Sequence, residues 1–194
     1  MEETRSTVQV QTKTAAGMTT LDLCLTAIFT AIIAILAQIS IPMPAGVPMT
    51  MQTLAVPLAG IVLGAKRGTI STLLYVLLAA IGVPVLAGLT GGIGAVFGMT
   101  GGFIFSFPLM ALAAGLVANR GTKSPLLWLG LVLGAVINYA VGTVWFMFVT
   151  GTAFGAAFAA CVLPFIPTSI IKILLAGLLG TLLRKTLVRA GLLT

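Results

Sequence analysis

Apolar positions in this chain run in long unbroken blocks, and polar positions gather in short groups between them. No Asp, Glu, Lys or Arg occurs in 23–65, 68–119 or 124–171. One helical crossing of a bilayer takes about 20 residues, so each block holds two crossings and a turn. Three hairpins follow, with spans predicted at 21–41, 50–63, 69–81, 101–118, 126–149 and 167–183. The expected fold is an all-α integral membrane protein with six transmembrane helices: a membrane domain over 21–194 behind a polar segment at 1–20. Local signals agree. Thr19 with Asp22 reads as a capping box opening the first helix. Pro42, Pro44 and Pro48 mark the first turn. Trp128 and Trp145 stand about 26 Å apart along one helix, a spacing that suits an aromatic anchor at each interface.

The cations orient this scheme. Arg5 and Lys13, Lys66 and Arg67, Arg120 and Lys123, and Arg184, Lys185 and Arg189 all fall between hairpins or at the chain ends. The positive-inside rule puts them, and both termini, in the cytoplasm, with the uncharged hairpin tips outside. The chain is +7 overall, yet its basic residues are too scattered for a nucleic-acid surface. With 59% apolar and 7% charged residues, its exterior has to face lipid. The polar first twenty residues contain no apolar run, so no cleaved signal peptide is expected at the very start. Cys24 and Cys161 fall near opposite faces and read as small buried hydrophobes, with neither a disulfide nor a metal site.

The chemistry is as informative for what it lacks. There is no histidine, no acidic residue within a span beyond Asp22 at the start of the first, and no paired nucleophile and base, which argues against an enzyme. Neither an internal repeat nor a phosphate-binding loop of the ATPase kind is present, so self-driven transport and ATP hydrolysis are both disfavoured.

Lys172 is the cation that breaks the charge pattern. Placing it inside a span costs about 2.5–3.5 kcal/mol, and no carboxylate of this chain is predicted near it. Two readings fit: its counter-ion is a ligand's carboxylate, or its stem snorkels to the outer headgroups. Thr168 and Ser169 stand at the start of the same helix, either capping it or adding to an anion site. The second outer connection carries Gly82, Gly88, Gly91, Gly92, Gly94, Gly98, Gly101 and Gly102, and reads either as a loop folded over an outer pocket or as a flexible exposed segment. Gln52 and the pair Asn138 and Tyr139 offer hydrogen bonds to a ligand or between helices, and Ala27, Ala31 and Ala34 form a small-residue stripe for close packing.

Taken in order, Val47-Pro48-Met49-Thr50-Met51-Gln52-Thr53-Leu54-Ala55-Val56, Ala59-Gly60 through Lys66-Arg67-Gly68, Gly82-Val83-Pro84-Val85, Gly98-Met99-Thr100-Gly101-Gly102-Phe103, and Pro164-Phe165-Ile166-Pro167 with Lys172 resemble the biotin transporter BioY family. The resemblance implies the substrate-binding S component of an energy-coupling factor transporter in a prokaryotic cell membrane. It implies capture of a vitamin from outside and release inside by a transmembrane coupling protein with two ATPases, with no cofactor of its own. Ligand-binding residues would be Lys172, Ser169, Gln52, Thr90, Gly91, Gly101, Phe103 and Tyr139; Ala27, Ala31 and Ala34 would dock the coupling protein.

The chain departs from the family pattern at three positions. Ser169 stands where an Asp is typical, Thr90 where Asn is frequent, and Met99 where proline is usual. Biotin's ureido ring carries two donors and a carbonyl, and a buried polar group without a partner costs about 1–3 kcal/mol. Losing an ionised acceptor therefore hurts biotin more than lipoate, whose dithiolane ring needs no hydrogen bonds. Biotin is the expected ligand and lipoate the alternative; a stand-alone pore is the alternative class.

Overall fold

The computed structural model describes residues 18–121 and 125–193. Glu2, Glu3, Arg5, Lys13, Lys123 and most of the polar segment 1–20 lie outside the described residues. Five helices are long and apolar enough to cross a membrane: α1 (Thr20–Ala37), α2 (Gln52–Ala80), α4 (Gly101–Ala118), α5 (Leu126–Thr150) and α7 (Ile166–Arg189), the last continuing from shorter turns before it. α1 opens on the capping box: Thr19 accepts from the Asp22 amide, and Asp22 accepts from the Thr19 amide.

α2 is two limbs. Two helices meet inside its 29 residues at Gly64, which has φ 81° and ψ 175°. That conformation is essentially closed to residues with a Cβ. Gln52 and Tyr75, 23 positions apart, are hydrogen-bonded at 2.6 Å. In a straight helix they would stand about 35 Å apart. The limbs 52–63 and 65–80 therefore fold back on each other. A Cβ on Gly68 would stand 2.7 Å from the Gly60 Cα, so two glycines let the limb backbones touch.

This double limb is the centre of the bundle. It packs against α1, α4 and α7, and α4 packs in turn against α5. Tyr75, Ile33, Ile61, Met110 and Leu131 are fully buried between these helices. Thr30 of α1 donates to the Ser71 carbonyl at 3.0 Å, a polar tie within an apolar contact. The outward faces carry Ile35, Leu77, Val144, Phe148 and Leu178 exposed. An apolar exterior on helices of this length is the surface of a membrane protein.

Several boundaries differ from the sequence reading. α1 ends at Ala37, four residues early, because Gln38 caps it and the chain enters a two-stranded hairpin. In that hairpin β1 (Ser40–Ile41) pairs antiparallel with β2 (Met49–Thr50) around the three prolines. α7 runs to Arg189 rather than 183, since Arg184, Lys185 and Arg189 continue the helix beyond its apolar part. Two short helices were not predicted, α3 (Ile93–Val96) inside the glycine-rich connection and α6 (Phe154–Cys161) before α7. Both cysteines are free; Cys161 is buried, but Cys24 is exposed rather than buried as expected, because it falls on the lipid-facing side of α1.

Candidate functional site

One end of the bundle opens on a cavity of about 380 Å3, within the range of small-molecule sites. Its walls come from the β1–β2 hairpin, the first turn of α2, the connection 81–100, and α4, α5 and α7. Apolar walls are supplied by Leu86, Met99, Phe103, Ile104, Phe107 and Phe165, and polar groups by Thr50, Gln52, Thr53, Thr90, Thr100, Asn138, Tyr139 and Lys172.

Lys172 lies on the second turn of α7, where it is only 7% exposed. Its ammonium does not snorkel outward; it donates to the Thr50 carbonyl at 2.7 Å and to Thr53 Oγ1 at 3.2 Å. The α2 start is where the carbonyl of Thr50 becomes available, because β2 ends there. Asp22 is the only acidic side chain among the described residues, and it is engaged by Arg67 at 2.8 Å. Lys172 thus faces the cavity with two neutral acceptors and no carboxylate among the described residues. An ammonium has three donors, so one remains for a ligand.

Gln52 lies beside it in a buried chain of bonds. Its Oε1 accepts from Thr50 Oγ1 at 2.8 Å, its Nε2 donates to the Tyr75 hydroxyl, and Tyr75 donates to the Val85 carbonyl at 3.1 Å. Across the cavity, Asn138 donates twice from Nδ2, to the Phe103 carbonyl at 3.0 Å and to Ser106 Oγ at 2.7 Å. A carbonyl can only accept, which fixes the amide orientation. The Asn138 Oδ1 accepts no hydrogen bond among the described residues, which leaves one acceptor at the cavity wall.

The predicted site residues divide. Lys172, Gln52, Thr90, Phe103 and Tyr139 line the cavity. Ser169 lines instead a small adjoining recess with Tyr139 and Lys172, and its hydroxyl is hydrogen-bonded to the Tyr139 hydroxyl. Neither Ser169 nor Thr168 caps α7; Thr168 donates back to the Phe165 carbonyl. Gly91 and Gly101 are not cavity residues. Each lacks room for a Cβ, against the Val83 carbonyl at 2.3 Å and the Val96 carbonyl at 2.4 Å. They let the connection fold tightly. Ala27 and Ala31 lie on the open face of α1, whereas Ala34 is half-buried against the core.

Three clamps hold the connection 81–100 over the cavity, and the sequence reading contains none of them. Gln38 donates to the Val85 and Leu86 carbonyls, both at 3.1 Å, and accepts from the Leu89 amide at 2.9 Å. Tyr75 holds Val85 from below. Trp145 donates to the Gly98 carbonyl at 2.9 Å and stacks edge-on with Phe105, which in turn meets Phe97. Polar Gln38 in an apolar helix was the available signal for the first clamp. Trp145, expected as an interface anchor, turns its ring nitrogen to this connection.

Long apolar helices around a partly polar cavity that opens at one end define a helical membrane protein with a solute-sized pocket. The match to known proteins is narrower. The model of the BioY family covers residues 7–189. The probable biotin transporter BioY of Pyrococcus horikoshii is 41% identical over 78% of this chain and 88% of its own length. The biotin transporter BioY of Rhizobium etli is 39% identical over 84% of this chain and 92% of its own. A crystal structure of the S-component for biotin from an ECF-type ABC transporter superposes with a TM-score of 0.77 at 31% identity, covering 84% of this chain and 90% of that one. The chain belongs to the BioY family.

Proposed function

We propose that this chain is the biotin-capturing S component of an energy-coupling factor transporter in a prokaryotic plasma membrane. The observation that carries the reading is Lys172: a buried cation at the wall of a solute-sized cavity, without a carboxylate among the described residues, in a chain of the BioY family. Biotin ends in a carboxylate, which supplies the missing charge. Its ureido donors find an acceptor in Asn138 Oδ1, and its fused rings fit against Phe103, Ile104 and Phe107. Ser169 and Tyr139 position the lysine side of the site from behind.

In this reading 21–194 is one membrane domain of six spans, with the two limbs of α2 counted separately. Both termini face the cytoplasm and the cavity opens outward beneath the connection 81–100. Ala27 and Ala31 present the smooth face of α1 to a transmembrane coupling protein, and two ATPases supply the energy. The chain itself performs no reaction. Lipoate is the second reading, favoured by one observation: Ser169 gives a hydroxyl in place of an ionised acceptor, and a dithiolane ring does not need one.

Proteoliposomes separate this from a pore. The purified chain alone is expected to bind biotin at one per chain without net uptake, and uptake to appear when a coupling protein and ATPases are co-reconstituted. Uptake by the chain alone would make it a facilitator.

A further inference from the structure

The end of the bundle opposite the solute cavity holds a second cavity, also about 380 Å3, of a different character. It lies where α1 begins, where α2 reverses at Gly64, and where α4 and α7 end. We infer that it binds a phosphate group, carried by an anionic phospholipid headgroup or present as the free ion.

Among the described residues, Arg67 and Arg184 line it beside one carboxylate, Asp22, with Lys66 at its rim. Both oxygens of Asp22 are committed, Oδ1 to Arg67 at 2.8 Å and Oδ2 to the Thr19 amide at 3.0 Å. Arg184 has only neutral partners: it donates to the Ile61 carbonyl at 2.8 Å and to Asn119 Oδ1 at 3.3 Å. These use two of a guanidinium's five donors, and the others have no acceptor among the described residues. Arg67 adds like-charge repulsion rather than relief.

The two bonds that Arg184 does make fix it in place. Ile61 lies in the last turn of the first α2 limb, whose final carbonyls have no helical partner once Gly64 breaks the run. The guanidinium is therefore oriented before any ligand arrives, and a planar fork of donors is matched to phosphate oxygens. Basic pockets between membrane helices at the headgroup level are the setting in which anionic headgroups bind. Exposed Leu23 and Leu182, one and two positions from Asp22 and Arg184, offer apolar surface for acyl chains beside the cavity.

The test uses the full chain in non-ionic detergent, titrated by thermophoresis with short-chain phosphatidylglycerol, short-chain phosphatidylcholine and inorganic phosphate. Phosphatidylglycerol is expected to bind, with Arg184→Gln weakening it at least tenfold and Arg184→Lys retaining most of the affinity. Competition by inorganic phosphate at matching concentration identifies the free ion as sufficient; no competition identifies the headgroup. If Arg184→Gln lowers the melting temperature, Lys66→Gln at the exposed rim is read by the same criterion. Binding of all three probes unchanged in these variants, or no binding of phosphatidylglycerol or phosphate at all, overturns the inference.

Discussion

The ammonium of Lys172 rests 2.7 Å from the carbonyl oxygen of Thr50, 122 positions earlier in the chain. The bond ties the second turn of α7 to the point where β2 gives way to α2. It also holds a cation at the cavity wall by neutral contacts alone. Such an arrangement keeps the charge oriented and available, and much of the entropy of placing a long side chain is already spent before a ligand arrives.

Gly142 controls the room behind Phe103. A Cβ there would stand 2.2 Å from the Phe103 ring, which lines the cavity. Gly142→Ala is therefore expected to push the ring into the cavity and weaken biotin binding at least tenfold, while the helical circular dichroism stays that of the parent. Calorimetry on the detergent-purified variant checks this.

Tyr75→Phe removes the hydroxyl that accepts from Gln52 and donates to Val85. The buried Gln52 amide is then left without its acceptor, at a cost of about 1–3 kcal/mol, while the Val85 carbonyl keeps its bond from Gln38. The expected outcome is a lower thermal midpoint together with faster hydrogen exchange at 85–90, since one clamp on that segment is gone.

Gly64→Ala should destabilise without touching the solute cavity. The backbone conformation alone costs about 1–3 kcal/mol for a residue with a Cβ. The added methyl would also lie 2.6 Å from Asn119 Oδ1. Thermal unfolding in detergent is expected to show the loss, and biotin affinity measured well below the midpoint to be retained.

Ser169→Asp places a carboxylate three residues from Lys172 on the same helix, beside Tyr139. Spacing of i, i+3 brings the two charges together. The lysine then has an internal partner, which lowers affinity for any carboxylate tail. Biotin and lipoate are both expected to bind more weakly than to the parent, read by parallel titrations of both ligands.

Much of the framework was readable because in a membrane the placement of charge sets the placement of helices. The span 101–118 coincides with α4, and Thr19 with Asp22 opened α1 as the capping box requires. The reversal at Gly64 was readable for the same reason, since Lys66 and Arg67 interrupt the apolar block there. Lys172, Gln52, Phe103 and Tyr139, each a polar or aromatic residue that stands out against an apolar helix, line the candidate cavity. The clamps were not readable. Gln38 meets Val85 across 47 positions and Trp145 meets Gly98 across another 47, and no local pattern encodes such partners. Gly91 and Gly101 lie outside the cavity lining for a related reason: a glycine allows close approach to anything, and here the approaching groups are the chain's own carbonyls.

Lys172→Ala is the most direct test of vitamin capture by its carboxylate. Calorimetry would compare parent and variant with biotin and with biotinamide, whose tail is neutral. A hydrogen bond to a charged group contributes about 1.5–3 kcal/mol, so biotin is expected to bind the variant at least tenfold more weakly. Biotinamide should bind the parent weakly and lose little more in the variant. Biotin bound equally tightly by both proteins would contradict the assignment of Lys172 to the carboxylate, and no biotin binding by the folded parent would contradict the function itself.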